Sequence, residues 1–208
     1  MGHYIRGEKW HNPIPYRLGW RVRQNASLVG NIQTAIDTYQ AKTNVRFVQR
    51  SKEKEYIFFV GLTKGKKPKK PNTGGNSDIG KGEGGGGKVR CRLSPNSSVY
   101  VVMHEIGHAL GLKHEQQRRD RNSYVTIDFR KIRKSKRNNF RMTKKGKGHR
   151  VGKYDCCSIM HYGPDFYSKK AGDINMTRKS GVPVSECPYL GGIVLTATDI
   201  ATINKIVH

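Results

Sequence analysis

Residues 104–125 read HEIGHALGLKHEQQRRDRNSYV, and this stretch guides the interpretation of the whole chain. It opens with an HExxH sequence, in which His104 and His108 are four residues apart and Glu105 follows the first histidine. Because residues four apart share one face of a helix, both imidazoles can reach the same metal ion. Glu105 lies beside them and can contact a metal-activated water without binding the ion. The pattern predicts metal-assisted hydrolysis with Glu105 as the general base.

A glycine and a third histidine extend this motif. Gly111 lies three residues after His108, and His114 lies three residues further on. A continuous helix would not return His114 to the same ion, but a glycine with positive φ can turn the chain so that it does. The alternative is a surface helix with incidental histidines, and the extension makes such a chance match much rarer than HExxH alone. Three neutral imidazoles leave one position on Zn²⁺ open for water or substrate, so we predict one catalytic zinc ion held by His104, His108 and His114.

The hydrophobic pattern predicts an α+β fold in two unequal halves. A helix from about residue 28 to 42 and a long helix from Val99 to Leu110 follow from their apolar spacing. Thr196 and Asp199 resemble the capping box of a final helix. The expected strands cover residues 10–22, 45–49, 56–60 and 89–93, with a long loop at 64–88. The chain after Arg118 is mostly irregular, and the long helix should end at the border between the halves.

The charge of the chain is strongly positive. It has 40 Lys and Arg against 15 Asp and Glu, a net charge of +25, with basic runs in Thr63–Pro71 and Arg130–Arg150. Such runs are usually solvated loops, but the excess of positive charge also suits anionic partners, including acidic or extracellular-matrix proteins. The runs lack the interleaved aromatic residues that stack on bases, so no specific nucleic acid is expected. No stretch of eighteen apolar residues exists, which predicts no membrane span.

The chain has four cysteines, Cys91, Cys156, Cys157 and Cys187, and none has a CxxC spacing. The even number suits two disulfides in an oxidising compartment, and three pairings are possible. A bridge between the neighbours Cys156 and Cys157 would be strained, which favours a distant partner for each. Reduced, buried thiols in a cytosolic protein are the alternative. The N-terminus shows no signal-peptide pattern, so secretion would require that a signal and a propeptide had already been removed.

The stretch His104–Val125 resembles the zinc signature HExxHxxGFxHExxRxDRDxY of the astacin family of metzincins, with Leu112 in place of Phe and Asn122 in place of Asp. Residues Ser158–Tyr162, SIMHY, are similar to the Met-turn of that family. The resemblance covers nearly the whole chain. Within the family, the chain resembles bacterial members similar to myroilysin. It implies a single catalytic domain over residues 1–208, with a metzincin-like two-lobed architecture. The N-terminal lobe, about 1–114, would carry a twisted mixed sheet and the long helix, and the C-terminal lobe, about 115–208, would lie across a cleft.

The resemblance also implies roles for individual residues. Met160 would form a hydrophobic floor beneath the zinc, and Glu115 would contact the mature N-terminus. Tyr162 would be a displaceable fourth zinc ligand that later stabilises the oxyanion, although a packed tyrosine with its hydroxyl satisfied nearby is the alternative. Extended substrate would pair with an edge strand formed by Lys88, Val89, Arg90, Cys91 and Arg92.

The family's usual cysteines are missing at Asn44, near Asn96 and near the C-terminus. Its disulfides therefore cannot be assigned here, and we expect two different bridges. Cys156 and Cys157 precede the Met-turn, so a bridge there would brace the wall of the active site.

The predicted function is a secreted zinc endopeptidase that hydrolyses peptide bonds by zinc-activated water, with Glu105 as base and Tyr162 stabilising the oxyanion. Its partners would be polypeptide substrates and a removed propeptide. One alternative is a basic polyanion-binding protein on a degenerate protease fold, which the charge favours and the intact motif disfavours. Another is a zinc-stabilised structural module, for which Glu105 would be unnecessary.

Overall fold

The computed structural model describes residues 2–5, 9–62, 74–81 and 87–208. In chain order, its strands and α-helices are β1 (His3–Ile5), β2 (Ile14–Leu18), α1 (Trp20–Arg23), α2 (Ala26–Lys42), β3 (Phe47–Gln49), β4 (Tyr56–Gly61), β5 (Gly75–Ser77), β6 (Lys88–Leu93), α3 (Val99–Leu110), β7 (Val125–Ile127), β8 (Gly148–Arg150), β9 (Met176–Arg178) and α4 (Ala197–Ile206). Short 3₁₀ helices span Glu115–Gln117, Arg121–Ser123 and Lys134–Phe140. The prediction of an α+β fold is confirmed. The basic run Thr63–Pro71 lies outside the described residues.

The chain divides into two compact units. The sheet unit comprises the described residues of Gly7–Leu112 together with Ile203–His208. The C-terminal unit comprises those of Met1–Arg6 together with Lys113–Thr202. The predicted lobe boundaries and the cleft between the lobes stay predictions. None of the helices in the described parts of the chain is long and apolar enough to cross a membrane.

A five-stranded mixed sheet organises the sheet unit, in the order β3-β2-β4-β6-β5. The pairs β3-β2, β2-β4 and β4-β6 are parallel, whereas β5 runs antiparallel to β6. In β6 the buried residues alternate with basic ones, because successive side chains of a strand point to opposite faces. Val89, Cys91 and Leu93 are fully buried on the inner face, and α3 packs against β5 and β6. Lys88, Arg90 and Arg92 alternate with them and are only partly buried.

Two parts of the sheet unit differ from the sequence prediction. Residues 10–22 were expected to form one strand, but the strand ends at Leu18 and α1 follows after Gly19. A side chain at Gly19 would meet the carbonyl oxygen of Phe59 at 2.9 Å, which explains the glycine at this close approach. The predicted loop 64–88 contains β5, whose sequence Gly-Asn-Ser has low β propensity and gives no strand signal.

The C-terminal unit has little regular structure, as predicted. Two small antiparallel sheets pair β1 with β8 and β7 with β9. A disulfide joins Cys156 to Cys187, with 5.3 Å between their Cα atoms. The prediction of two disulfides is wrong, because Cys91 and Cys157 are free. Cys91 points into the core of the sheet unit, where it is fully buried and beyond the reach of a partner.

Candidate metal centre

The helix α3 carries the HExxH residues and ends at Leu110, so that the chain can turn towards the third histidine, His114. It buries Val102, Ile106 and Ala109 completely, which anchors the helix. Gly111 then adopts φ of 115°, and its N–H donates to the carbonyl of His108 at 2.8 Å. The N–H of Leu112 donates to the carbonyl of Gly107 at 2.9 Å, completing a Schellman-type helix end. A left-handed turn of this kind favours glycine.

This turn brings together the three predicted ligands. His104, His108 and His114 each offer one ring nitrogen, and these atoms all lie within 4.8 Å of one another. The Nδ1 of His108 lies 2.8 Å from the carbonyl oxygen of Leu112, so Nδ1 carries the hydrogen and Nε2 keeps its lone pair for a metal. Three neutral nitrogen donors match the preference of Zn²⁺, and they suit a catalytic rather than a closed structural site.

Glu105 is a buried carboxylate next to these histidines. Its side chain is 5% exposed, and its Oε2 has no hydrogen-bond partner among the described residues. Burial raises the pKa of Glu105 to about 8. Gly75 of β5 packs against it so closely that a Cβ there would lie 2.8 Å from Cγ of Glu105. A buried carboxylate oxygen without a partner is costly, and a water held at the metal would give it one. The residues present therefore fit a zinc ion.

The Met-turn is tied to the residue that follows His114. Met160 is 1% exposed, and its carbonyl accepts a hydrogen bond from the N–H of Glu115 at 3.0 Å. Its own N–H donates to Oγ of Ser158 at 3.0 Å. These bonds fix the turn within the C-terminal unit. Whether Met160 lies beneath a bound zinc stays a prediction.

Asp199 supports this turn, a role that sequence reasoning missed. Its carboxylate accepts from the hydroxyl of Ser158 at 2.6 Å and from the N–H of Ile159 at 3.1 Å. It also exchanges hydrogen bonds with Thr196 at 3.1 Å, which is the predicted capping box of α4. Burial raises the pKa of Asp199 to about 6. The spacing of Thr196 and Asp199 predicted the helix start but could not show which distant residues the carboxylate reaches.

Glu115 belongs to a buried ionic network. Its Oε1 accepts from Arg118 at 3.0 Å and from the N–H of Asp155 at 3.0 Å. Arg118 is fully buried and also pairs with Asp120 at 2.8 Å. Burial raises the pKa of Glu115 to about 8 despite the opposing effect of Arg118. Gly2 is close by, since a Cβ on it would lie 3.7 Å from Oε2 of Glu115.

Tyr162 lies beside the third histidine. Its ring centroid is 4.5 Å from that of His114, and the ring is 7% exposed between Phe140 and Phe166. Its backbone N–H donates to Oε1 of Gln116 at 3.2 Å. A tyrosine at this place can serve as a ligand or simply pack, so its role in the reaction stays a prediction.

The prediction of an edge strand at Lys88–Arg92 is wrong. These residues belong to β6, which has β4 on one side and β5 on the other. β5 pairs with the C-terminal part of β6, where Asn76 and Ser77 stand opposite Arg92 and Cys91, and the N–H of Asp78 donates to the carbonyl of Arg90 at 3.0 Å. The last strand in the sheet order is β5, and sequence reasoning missed it because Gly75–Ser77 lies in a Gly-, Lys- and Pro-rich segment.

Comparison with known proteins identifies the family. The family model described as Astacin, which denotes a peptidase family, matches residues 3–207. High choriolytic enzyme 1 of Oryzias latipes is 35% identical over 193 residues, which are 92% of this chain and 64% of that sequence. Zinc metalloproteinase nas-4 of Caenorhabditis elegans is 33% identical over 178 residues, 83% of this chain and 52% of that sequence. The chain thus spans less than two thirds of the length of these relatives.

Solved structures agree with this match. A structure of high choriolytic enzyme 1, described as a hatching enzyme zinc-protease from Oryzias latipes, has a TM-score of 0.73 and 30% identity, covering 92% of this chain and 86% of that one. A structure of myroilysin has a TM-score of 0.58 over 99% of this chain and 98% of that one, with 19% identity, and supports the fold alone. The predicted resemblance is confirmed, and the chain belongs to the astacin family of peptidases.

Proposed function

We propose that this chain is a zinc-dependent endopeptidase. The observation that carries the proposal is the arrangement of three imidazole nitrogens within 4.8 Å of one another, with the buried carboxylate of Glu105 on the helix that provides two of them. His104, His108 and His114 would hold the ion. When bound, zinc would supply a Lewis acid that lowers the pKa of a water molecule and polarises the substrate carbonyl.

Glu105 is the proposed general base. Burial raises the pKa of Glu105 to about 8, and the positive charge of a bound zinc ion would lower it again, so that the ionised carboxylate could accept a proton from the attacking water through Oε2. The same carboxyl group can then deliver that proton to the leaving amine. Gly75 leaves free the space that this carboxylate occupies, since a Cβ there would lie 2.8 Å from Cγ and 3.1 Å from Oε1 of Glu105.

Tyr162 is proposed to stabilise the oxyanion. Its phenol can donate a hydrogen bond to the oxygen on which negative charge develops, and at rest it can act as a fourth ligand. Support comes from its place beside His114 and from the aromatic neighbours that orient the ring. This role can be distinguished from simple packing, because only the loss of an oxyanion donor lowers turnover more than it weakens substrate binding.

Substrate is proposed to bind as an extended chain along β5. An extended peptide can add to the last strand of a sheet through backbone hydrogen bonds. Support comes from the position of β5, which ends the sheet order and carries Gly75 against Glu105. The net charge of +25 would favour acidic or extracellular-matrix substrates.

Secretion and a removed propeptide complete the proposal. The disulfide Cys156–Cys187 supports an oxidising compartment, since such bonds are rare in the cytosol. Cys156 lies two residues before Ser158, where the Met-turn begins, so the bridge would also brace that turn.

A peptide-library digest tests this function. The zinc-loaded protein, incubated with a diverse library with and without chelator, should produce internal cleavages that the chelator abolishes. Tyr162→Phe should lower kcat by more than it raises KM, and an unchanged kcat would remove the oxyanion role. Intact peptides after incubation with fully zinc-loaded protein would instead favour the polyanion-binding alternative.

A further inference from the structure

Three arginines line a concavity on the sheet unit. It has a volume of about 450 Å³ and lies where β2 and β3 end. Its lining residues are Arg17, Leu18, Arg23, Gln49, Arg50 and Ser51. None of these is acidic, and within the described parts of the chain none of the three guanidinium groups forms an ion pair. Glu53 offsets part of this charge, since its Oε2 accepts from the N–H of Ser51 at 2.7 Å, and backbone hydrogen bonds together with Arg50 lower its pKa. With three arginines beside one carboxylate, the concavity keeps an excess of positive charge.

The register of β2 and β3 brings two of these arginines to neighbouring positions on adjacent strands. Tyr16 of β2 pairs with Gln49 of β3, and the N–H of Arg50 donates to the carbonyl of Tyr16 at 2.8 Å. Continuing this register places Arg17 opposite Arg50. Like charges on directly neighbouring strand positions destabilise a sheet. An anion bound between them would convert this repulsion into attraction.

Aromatic rings and a backbone carbonyl fix the orientation of these cations. The guanidinium of Arg50 lies 4.3 Å from the ring centroid of Tyr56, and its Nε donates to the carbonyl of Glu53 at 2.8 Å. Arg17 lies 5.9 Å from the ring centroid of Phe58. Side chains held in this way lose less conformational entropy when they bind a ligand.

The positive charge continues from the concavity along the sheet. Lys88 lies 5.8 Å from the ring centroid of Tyr56 and 5.5 Å from that of Phe58, so both rings are flanked by cations. We call the set Arg17, Arg23, Arg50, Tyr56, Phe58 and Lys88 the cationic face. Several cations in succession suit a polymer with repeated anionic groups better than a single small anion.

The chemistry of the cationic face selects among anionic polymers. Each guanidinium presents a fork of N–H donors suited to oxyanions, and three of them offer more donors than the two oxygens of one carboxylate can use. A sulfate ester has three outward oxygens in a tetrahedral arrangement. Base stacking is disfavoured because Tyr56 is only 6% exposed and both rings are flanked by cations.

We propose that the cationic face binds a sulfated polysaccharide, with one sulfate group held in the concavity by Arg17, Arg23 and Arg50. The residues involved belong to the sheet unit and do not include the three histidines or Glu105. The proposal therefore stands apart from the proposed peptidase function, and its test needs no peptidase activity.

Titration with a heparin octasaccharide at about 0.15 M salt, followed by calorimetry, tests the site. The variant R17Q/R23Q/R50Q should bind about a thousandfold more weakly, because three charge-assisted hydrogen bonds are lost and each costs about tenfold. The matched control K144Q/K145Q/K147Q removes the same number of charges from exposed positions and should lose less than about threefold. The variant R17K/R23K/R50K keeps the charge but lacks the guanidinium forks, so it should fall between them. Circular dichroism establishes that each variant is folded.

Three results would overturn the proposal. Equal losses in the arginine and lysine variants would show adsorption driven by net charge alone. No measurable binding of the octasaccharide by the folded wild-type protein would exclude the site. An acidic peptide or a single-stranded DNA of equal charge that binds as tightly, with the same dependence on the three arginines, would assign the face to a different class of partner.

Discussion

Replacing Gly75 by alanine should displace the proposed general base. A Cβ at this position would lie 2.8 Å from Cγ of Glu105 and 3.1 Å from both its Oε1 and the carbonyl oxygen of Arg92. Carbon atoms in good contact are about 3.5–4.0 Å apart, so the overlap amounts to roughly 1 Å. The carbonyl of Arg92 belongs to the sheet and resists movement. We expect the side chain of Glu105 to yield instead.

A shift of about 1 Å at a catalytic group can lower the rate by about a hundredfold. This corresponds to about 3 kcal/mol in the activation barrier. Gly75→Ala should therefore reduce kcat by about a hundredfold, while zinc binding is retained because the histidines are untouched. The test combines kcat and KM on a fluorogenic peptide with the zinc content of the purified variant.

Gly74→Ala is the matched control for this substitution. A Cβ at Gly74 would have no atom of the described residues within 4 Å, and neither glycine has a positive φ. The control should therefore keep nearly the wild-type kcat. A Gly75→Ala enzyme with full zinc content and wild-type kcat would refute the argument that this contact positions Glu105. A change confined to KM would assign Gly75 to substrate binding instead.

Further predictions concern stability. Burial lowers the pKa of His161 from 6.5 to about 4, so the stability that its neutral form contributes is fully present above about pH 6.5 and is lost as the pH falls towards 4. In urea unfolding, the difference in unfolding free energy between wild type and His161→Gln should shrink by up to about 3 kcal/mol over that window. A difference that stays constant with pH would contradict this prediction. Cys156→Ser should lower the unfolding free energy by about 3–4 kcal/mol, because it opens a loop of 31 residues. Cys157→Ser, which removes a free cysteine, should change it by less than about 0.5 kcal/mol. Mass spectrometry of a non-reduced digest that showed another pairing would reject the Cys156–Cys187 bridge. Asn44→Ala should cost about 1–3 kcal/mol and speed amide exchange at residues 203–208, because the two hydrogen bonds that its side-chain amide donates to the carbonyls of Asn204 and Val207 disappear. The backbone N–H of residue 44 keeps its bond to Oδ1 of Asn204, and unchanged exchange would oppose this prediction.

The helix of the metal centre could be predicted from sequence because its determinants are local. The spacing of His104 and His108 fixes their common face, and Gly111 marks the turn towards His114. Each of these features depends on residues no more than six apart in the chain. The bounds of α3 agree with the predicted helix Val99–Leu110 for the same reason.

The features that sequence reasoning missed depend on distant contacts. Nothing in Gly-Asn-Ser predicts a strand, and β5 forms because β6 offers it a backbone to pair with. Cysteine pairing also depends on the fold, since Cys91 lies in the sheet core while Cys156 meets Cys187. Residue 44, where the family usually has a cysteine, also depends on contacts that are distant in the sequence. Asn44 bonds there to Asn204 and Val207 without a covalent link.

The central claim is that Glu105 activates a zinc-held water for peptide hydrolysis. The most direct measurement compares wild type with Glu105→Gln, each stripped by chelator and titrated with one equivalent of zinc, by zinc affinity and by turnover of one cleavable peptide. The isosteric amide keeps the three imidazoles but cannot take a proton. Equal zinc affinity, with turnover restored by zinc in wild type and lowered by at least about a hundredfold in the variant, is the predicted result. Wild-type turnover in the zinc-loaded variant, or activity that survives complete removal of zinc, would contradict the account.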